Sequence, residues 1–291
     1  MKKPDDVASN APALFAGERL AGRPWVWFDL DDTLWNFHDN SLVALGQIYS
    51  LYALDRFWPG EQAWLDSYHA VNDELWRLYS HGAITRDVLR TERFRRPLAE
   101  AGCDAAEAQE MAARLDGVYL GMLAQMSGTV PGAHEVLRRL RPFYNIGILS
   151  NGFAEVQYGK MATAGLSPLI DCVVLSDEIE VNKPDPRIFD YACRKAGTEP
   201  GSCLLVGDNP DTDICGAVGA GWKAVFFCPK GRDADTDRTD KSETPSPRHS
   251  LPEGVKTVRS LDHIVVGEDG ESEPGRGPEN GLLGLNIKKS T

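Results

Sequence analysis

The chain of 291 residues is predicted to be an α/β protein, a doubly wound parallel sheet interrupted by a large helical insertion. Three observations lead there. Five short apolar runs have the length and composition of strands buried on both faces. Helical stretches with recognisable start and stop residues separate the later runs. Finally, about 110 residues part the first run from the second, far more than a simple crossover needs.

In chain order, the predicted strands are 25–30, 145–149, 172–175, 203–206 and 224–228. The helix over 187–196 has Pro186 near its start and Gly197 just past its end, the usual asymmetry of proline and glycine at helix termini. In the long gap, Asn72, Leu75, Trp76 and Tyr79 fall at i, i+3, i+4 and i+7. Gly82 is placed to stop that helix and Thr85 to cap the next. Residues 41–127 are therefore expected to form an all-helical cap inserted into a core made of 23–40, 128–229 and 254–266. Residues 1–22 read as an N-terminal extension. The Asp/Thr/Ser/Pro-rich stretch 230–253 reads as a disordered insertion, and 267–291 as a disordered tail.

Hydrophobic residues make up 42% and charged residues 25%, close to a soluble globular average, which excludes wholesale disorder and fibrous repeats. No apolar run approaches the ~18 residues of a membrane helix, and the N-terminus lacks a secretory apolar segment. A cytoplasmic protein is expected. The formal net charge of −12 disfavours a nucleic-acid duplex as partner, while a small phosphorylated ligand held by a local cation remains compatible. Six scattered cysteines without a C-x-x-C pair predict reduced, buried thiols. Neither H-E-x-x-H nor a phosphate-binding G-x-x-x-x-G-K-[ST] loop is present.

The chemistry gathers at strand ends. The first run closes on Asp29-Leu30-Asp31-Asp32-Thr33, and each pair of like charges about 4 Å apart costs roughly 4 kcal/mol at an effective dielectric near 20. Such a cluster calls for a cation. In an extended chain Asp29 and Asp31 share a side and Asp32 points away. Ser150-Asn151-Gly152 ends the second strand and offers a hydroxyl and backbone N–H groups to phosphate oxygens. Lys183 follows in a loop as a compact cation, and Gly207-Asp208 with Asp213 ends the fourth strand. Ligands of open α/β sheets bind at the carboxyl ends of the strands, where all four groups lie.

These four motifs, Asp29-x-Asp31-x-Thr33, Ser150, Lys183 and Gly207-Asp208 with Asp213, resemble those of the haloacid dehalogenase-like hydrolases over residues 24–230 and 254–266. Within that superfamily, Val71-Asn72-x-x-Leu75-Trp76-x-x-Tyr79-x-x-Gly82 followed by Arg93-Phe94 is similar to the YjjG-type pyrimidine 5'-nucleotidases. The resemblance implies a Rossmann-like phosphatase core and a Mg²⁺-dependent phosphomonoesterase acting on a small phosphorylated substrate, a nucleotide. Asp29 would be the nucleophile and Asp31 the general acid and base. Ser150, the Asn151 amide and Lys183 would bind phosphate. Asp29, Asp208 and the backbone carbonyl of Asp31 would hold the metal, with Asp213 in support.

Asn72, Trp76, Tyr79 and Arg93 are the cap candidates for substrate contact. Dehalogenases of the superfamily lack an acid where Asp31 stands, which turns the resemblance towards phosphatases. It departs from the common pattern at Asn209, where serine is frequent. A sugar-phosphate phosphatase or phosphomutase is the alternative, and a non-catalytic binding protein on this fold the remote one. The arginines 86, 90, 93, 95 and 96 are expected to form a partly solvated helix face.

Overall fold

A computed structural model describes residues 22–229, 251–266 and 284–288. Its elements run β1 (Trp25–Phe28), α1 (Phe37–Leu51), α2 (Glu61–Ser80), α3 (Arg86–Glu100), α4 (Ala105–Ala124), α5 (Ala133–Leu140), β2 (Asn145–Ser150), α6 (Ala154–Thr163) and β3 (Cys172–Leu175). They continue with α7 (Ser176–Ile179), α8 (Pro186–Ala196), β4 (Cys203–Gly207), α9 (Gly216–Gly219), β5 (Lys223–Phe227), β6 (Lys256–Val258), β7 (Ile264–Val266) and β8 (Leu285–Ile287).

The first six strands form one parallel sheet in the order β3-β2-β1-β4-β5-β6. From β1 the chain winds one way to β2 and β3, then returns to lay β4 on the other side. That reversal opens a crevice beyond the ends of β1 and β4. Side chains alternate as the strand period requires: Val26 and Phe28 join one core with Ile146, Ile148, Leu204 and Val206, while Trp25 and Trp27 join the other with Ile188 and Phe189 of α8. Both faces of β1 to β4 are covered, so those strands are buried on both sides, while the edge strand β6 exposes Lys256 and Thr257.

The first strand is shorter than expected. After Phe28 the N–H groups of Leu34 and Trp35 both donate to the Leu30 carbonyl, and Asp32 takes a left-handed φ of 59°, which folds the chain into a turn. The turn leads straight into α1. The Asn36 side chain accepts from Asp39 N and Asp32 Oδ1 accepts from His38 N, so helix begins at Phe37, ahead of residue 41.

Helices α1 to α4 form the inserted cap. Its interior is aromatic, with Trp64, Tyr68, Phe94 and Tyr119 buried together and the Tyr68 and Phe94 ring centroids 5.0 Å apart. Gly82 sits past the end of α2 with φ +71°, and the Thr85 hydroxyl accepts from Val88 N at the start of α3, as the sequence predicts.

The tail expected to be disordered over 267–291 is corrected at its described residues. Leu285–Ile287 pair antiparallel with Ile264–Val266, and Leu285 is buried, because an apolar side chain inside a polar tail gains by leaving water. Residues 1–21, 230–250, 267–283 and 289–291 of the expected extension, insertion and tail lie outside the described residues. At 251–253 the end of the expected insertion is described, and Leu251 packs on the α8 side of the sheet. Among the described residues, no helix is long and apolar enough to cross a membrane. Cys103, Cys172, Cys193, Cys203 and Cys228 are buried.

Candidate active site

A cavity of about 250 Å³ lies where the ends of β1, β2 and β4 meet the cap. Its floor is lined by Asp29, Asp31, Asp32, Ser150, Asn151, Gly152, Lys183, Asp208 and Asp213, and its roof by Phe37 of α1 and Asn72, Asp73, Trp76 and Ser80 of α2. The structure thus brings together Asp29, Asp31, Ser150, Asn151, Lys183, Asp208 and Asp213 of the strand-end motifs. It also places Asp32 in that lining, although its carboxylate accepts from His38 N at the start of α1.

Lys183 organises the floor. Its ammonium is 2% exposed and donates to Asp29 Oδ1 at 2.7 Å, to the Leu149 carbonyl at 2.7 Å and to Asp213 Oδ1 at 2.6 Å. An ammonium has three hydrogens, so Lys183 offers a bound anion its charge and not an uncommitted donor. The loop carrying it is clamped to the end of β2. The Asn151 side chain donates to the Lys183 carbonyl at 2.9 Å and accepts from its N–H at 2.8 Å. The Asn151 side chain is therefore occupied in holding Lys183, which leaves its backbone N–H as the group it could offer an anion.

Burial dominates the Asp29 carboxyl and pushes it up to about 7, against the downward pull of Lys183, with Asp213 and Asp31 adding to the rise. Burial pulls the Lys183 ammonium the other way, but Asp213 and Asp29 outweigh it and the group is raised. One oxygen each of Asp29, Asp208 and Asp213 lies within 4.8 Å of the others, a set of hard donors that could hold a metal ion. The Thr33 hydroxyl steadies Asp208 by donating to its Oδ1 at 3.4 Å.

After β4, Asn209 accepts from the N–H groups of Asp211 and Thr212 and starts the widened helical turn Pro210–Cys215, so this departure from the common serine serves as a cap. That turn carries Asp213 back against Gly207. A β-carbon at Gly207 would come within 2.3 Å of Asp213 Oδ2, which explains the glycine by close approach.

Asp31 has two partners that sequence reasoning missed. Lys160 Nζ donates to its Oδ1 at 2.7 Å and Gln157 Nε2 to its Oδ2 at 2.8 Å. Gln157 Nε2 also reaches Ser150 Oγ at 2.7 Å. Among the described residues its own Oε1 is buried with no partner, an arrangement that costs of order 1–3 kcal/mol. Gly152 gives it room, since a β-carbon there would lie 2.1 Å from Nε2. The one available signal was that Gln157 and Lys160 are three apart on the helix following Ser150; nothing in that spacing names the residue they meet.

In the cap, Asn72 and Trp76 line the cavity, whereas Tyr79 and Arg93 do not. Tyr79 and Trp76 pack on Phe153, and the Tyr79 carbonyl accepts from Asn182 Nδ2 at 2.9 Å, which ties α2 to the Lys183 loop. Arg93 is corrected from a solvated face to the interior: it is 2% exposed and ion-paired with Asp116. In the structure it shares the buried face of α3 with Leu89, Phe94 and Leu98, and a buried guanidinium needs a carboxylate. The other four arginines of the stretch are also paired, Arg86 with Asp177 and Glu155, Arg90 with Asp116 and Glu155, Arg95 with Glu92 and Arg96 with Glu74.

Comparison with known proteins agrees with this geometry. The family model of the haloacid dehalogenase-like hydrolases matches residues 25–221. The chain is 33% identical over 198 residues to the pyrimidine 5'-nucleotidase YjjG of Escherichia coli, covering 68% of this chain and 82% of that protein. It is 30% identical over 209 residues to the pyrimidine 5'-nucleotidase PynA of Streptococcus pneumoniae, covering 69% and 82%. The crystal structure of the putative hydrolase YfnB of Bacillus subtilis superposes with a TM-score of 0.67 at 24% identity, covering 82% of this chain and 96% of YfnB. The chain belongs to the haloacid dehalogenase-like hydrolases.

Proposed function

We propose that this haloacid dehalogenase-like hydrolase is a Mg²⁺-dependent phosphomonoesterase that works through an aspartyl-phosphate on Asp29 and acts on pyrimidine nucleoside 5'-monophosphates. The observation carrying the chemistry is the cluster in which one buried cation, Lys183, faces Asp29 and Asp213 beside Asp208 at the strand ends. An anionic nucleophile, a fixed positive charge and a hydroxyl donor then surround one cavity.

In the first step an Asp29 carboxylate oxygen forms a bond to phosphorus as the phosphorus–ester oxygen bond breaks, and Asp31 gives a proton to the departing oxygen. In the second, Asp31 takes a proton from water as that water's oxygen bonds to phosphorus. The Asp29–phosphorus bond breaks, inorganic phosphate leaves and the carboxylate is restored. Ser150 and the Asn151 N–H hold the equatorial phosphoryl oxygens, and Lys183 balances their charge. Mg²⁺ would be held by the Asp29 and Asp208 carboxylates and the Asp31 carbonyl, with Asp213 in support, and supplies positive charge against the phosphate and the acidic cluster. These hard oxygen donors suit it.

The nucleotide reading is supported by the similarity to two relatives named as pyrimidine 5'-nucleotidases and by a roof of Trp76 and Asn72, a flat aromatic and an amide suited to a base. Phosphate release with Mg²⁺ across pyrimidine and purine 5'-monophosphates, deoxynucleotides and sugar phosphates tests it. UMP, dUMP or dTMP should lead. A flat or sugar-led profile overturns the nucleotide specificity and favours a sugar-phosphate phosphatase. Absence of Mg²⁺-dependent release from every monoester overturns the enzymatic reading in favour of a binding protein.

A further inference from the structure

We infer that Gln157 and Lys160 are positioning residues that hold the Asp31 carboxylate in line with the leaving oxygen, an inference that rests on the reading of Asp31 as general acid. The two side chains lie three apart on α6, and so on one face of the helix. They divide the carboxylate between them, with Lys160 Nζ at 2.7 Å from Oδ1 and Gln157 Nε2 at 2.8 Å from Oδ2.

Neither partner is a surface residue. Lys160 is buried with its ammonium over the rings of Trp35 and Phe37, 4.4 and 5.3 Å from their centroids, and Gln157 is fully buried. Rings and ion pair together leave the ammonium little freedom to move.

The bridge from Gln157 Nε2 to Ser150 Oγ at 2.7 Å ties the acid to the hydroxyl that meets the phosphate. Asp31 stands on a turn beyond β1, where an untethered carboxylate would rotate about its side-chain bonds. The clamp holds it against the site from both sides. Each carboxylate oxygen keeps a further lone-pair direction, so a proton can come and go without breaking either contact. The buried, unpartnered Gln157 Oε1 has the same meaning: the amide is oriented for what its Nε2 holds, at the expense of its acceptor.

A positioning role and a purely structural one differ in how they depend on the leaving group. A nucleoside or other alkyl monophosphate needs a proton on the departing oxygen, while 4-nitrophenyl phosphate releases a stable phenolate without one. The readout is kcat/KM, which covers only the steps through departure of the leaving group and so excludes the later water attack.

Lys160→Met, close in length and without charge, should lower kcat/KM on the best alkyl monophosphate by about 10²-fold and on 4-nitrophenyl phosphate by less than about threefold. Gln157→Met should show the same selectivity with a smaller loss, and it carries the test if Lys160→Met fails to fold. Equal losses on both esters, or no loss on either, overturn the inference. Asp31→Asn is run alongside. If it is selective while the two α6 variants are not, positioning is overturned and the acid assignment stands; if it too loses equally on both esters, the acid assignment is overturned and positioning with it. Use of the best alkyl ester, nucleotide or sugar, keeps the result independent of base specificity.

Discussion

Two buried ion clusters, one in the sheet core and one in the cap, use the same chemistry for different ends. In the core, a single ammonium, Lys183, faces the carboxylates of Asp29 and Asp213 with Asp208 adjacent, and the group opens onto the cavity. In the cap, a single carboxylate, Asp116, receives two guanidiniums, Arg90 and Arg93, among the rings of Phe94, Tyr119 and Phe153, and it does not line the cavity. Burial of charge is common to both. An excess of one sign together with access to a cavity belongs to the core alone, and that combination marks a site where a ligand or metal completes the charge balance.

The sharpest way to break this comparison is Asp29→Asn. It should lower phosphate release by at least about 10³-fold while circular dichroism reports an intact fold. Retained turnover would remove the core cluster's claim to chemistry.

Next come the two cations. Lys183→Met leaves Asp29 and Asp213 without their counter-charge, and Arg93→Met leaves the buried Asp116 with the partly exposed Arg90, which it shares with Glu155. Each should cost about 3–5 kcal/mol in urea unfolding, with the Arg93 loss at the lower end. The clusters should then part company on repair. Adding Asp116→Leu to Arg93→Met should restore stability, since an apolar replacement suits a sealed site.

The third effect is linkage. Because burial raises Asp29 from an unfolded value of 3.8 to about 7, the folded state holds the extra proton between those values. The stability it contributes is full below pH 3.8 and is lost as pH rises through 7. A divalent cation bound by the Asp29, Asp208 and Asp213 cluster would replace that proton. Mg²⁺ at 100 times its pH 8 Kd should therefore add about 2.7 kcal/mol at pH 8, read as a higher Tm, and the same concentration much less at pH 5. An equal gain at both would contradict the raised carboxyl.

The smallest effect belongs to the roof. Trp76→Ala should raise KM for the preferred nucleotide about tenfold with kcat nearly unchanged, as expected for binding lost equally from ground and transition states. A matching fall in kcat would move Trp76 from holding the base to shaping the reaction.

The clearest contrast in legibility runs through Asp31. Its candidacy was readable because its carboxylate sits in a short motif at a strand end, and the strands announce themselves by apolar runs bounded by turn residues. The same local logic placed Ser150, Lys183, Asp208 and the helical cap. It failed wherever a contact joins distant segments: Gln157 and Lys160 stand 126 and 129 residues beyond Asp31. It failed for Arg93 too, because helical periodicity assigns a face without naming its neighbours, and Asp116 lies on a different helix.

The sequence by itself determined the winding of the sheet and the residues at its strand ends, since strand period, turn chemistry and charge repulsion act over a few residues. Only the tertiary structure decided which side chains hold the Asp31 carboxylate, which arginine turns inward and which cap residues reach the cavity. Those outcomes depend on packing between elements whose relative placement no local pattern encodes.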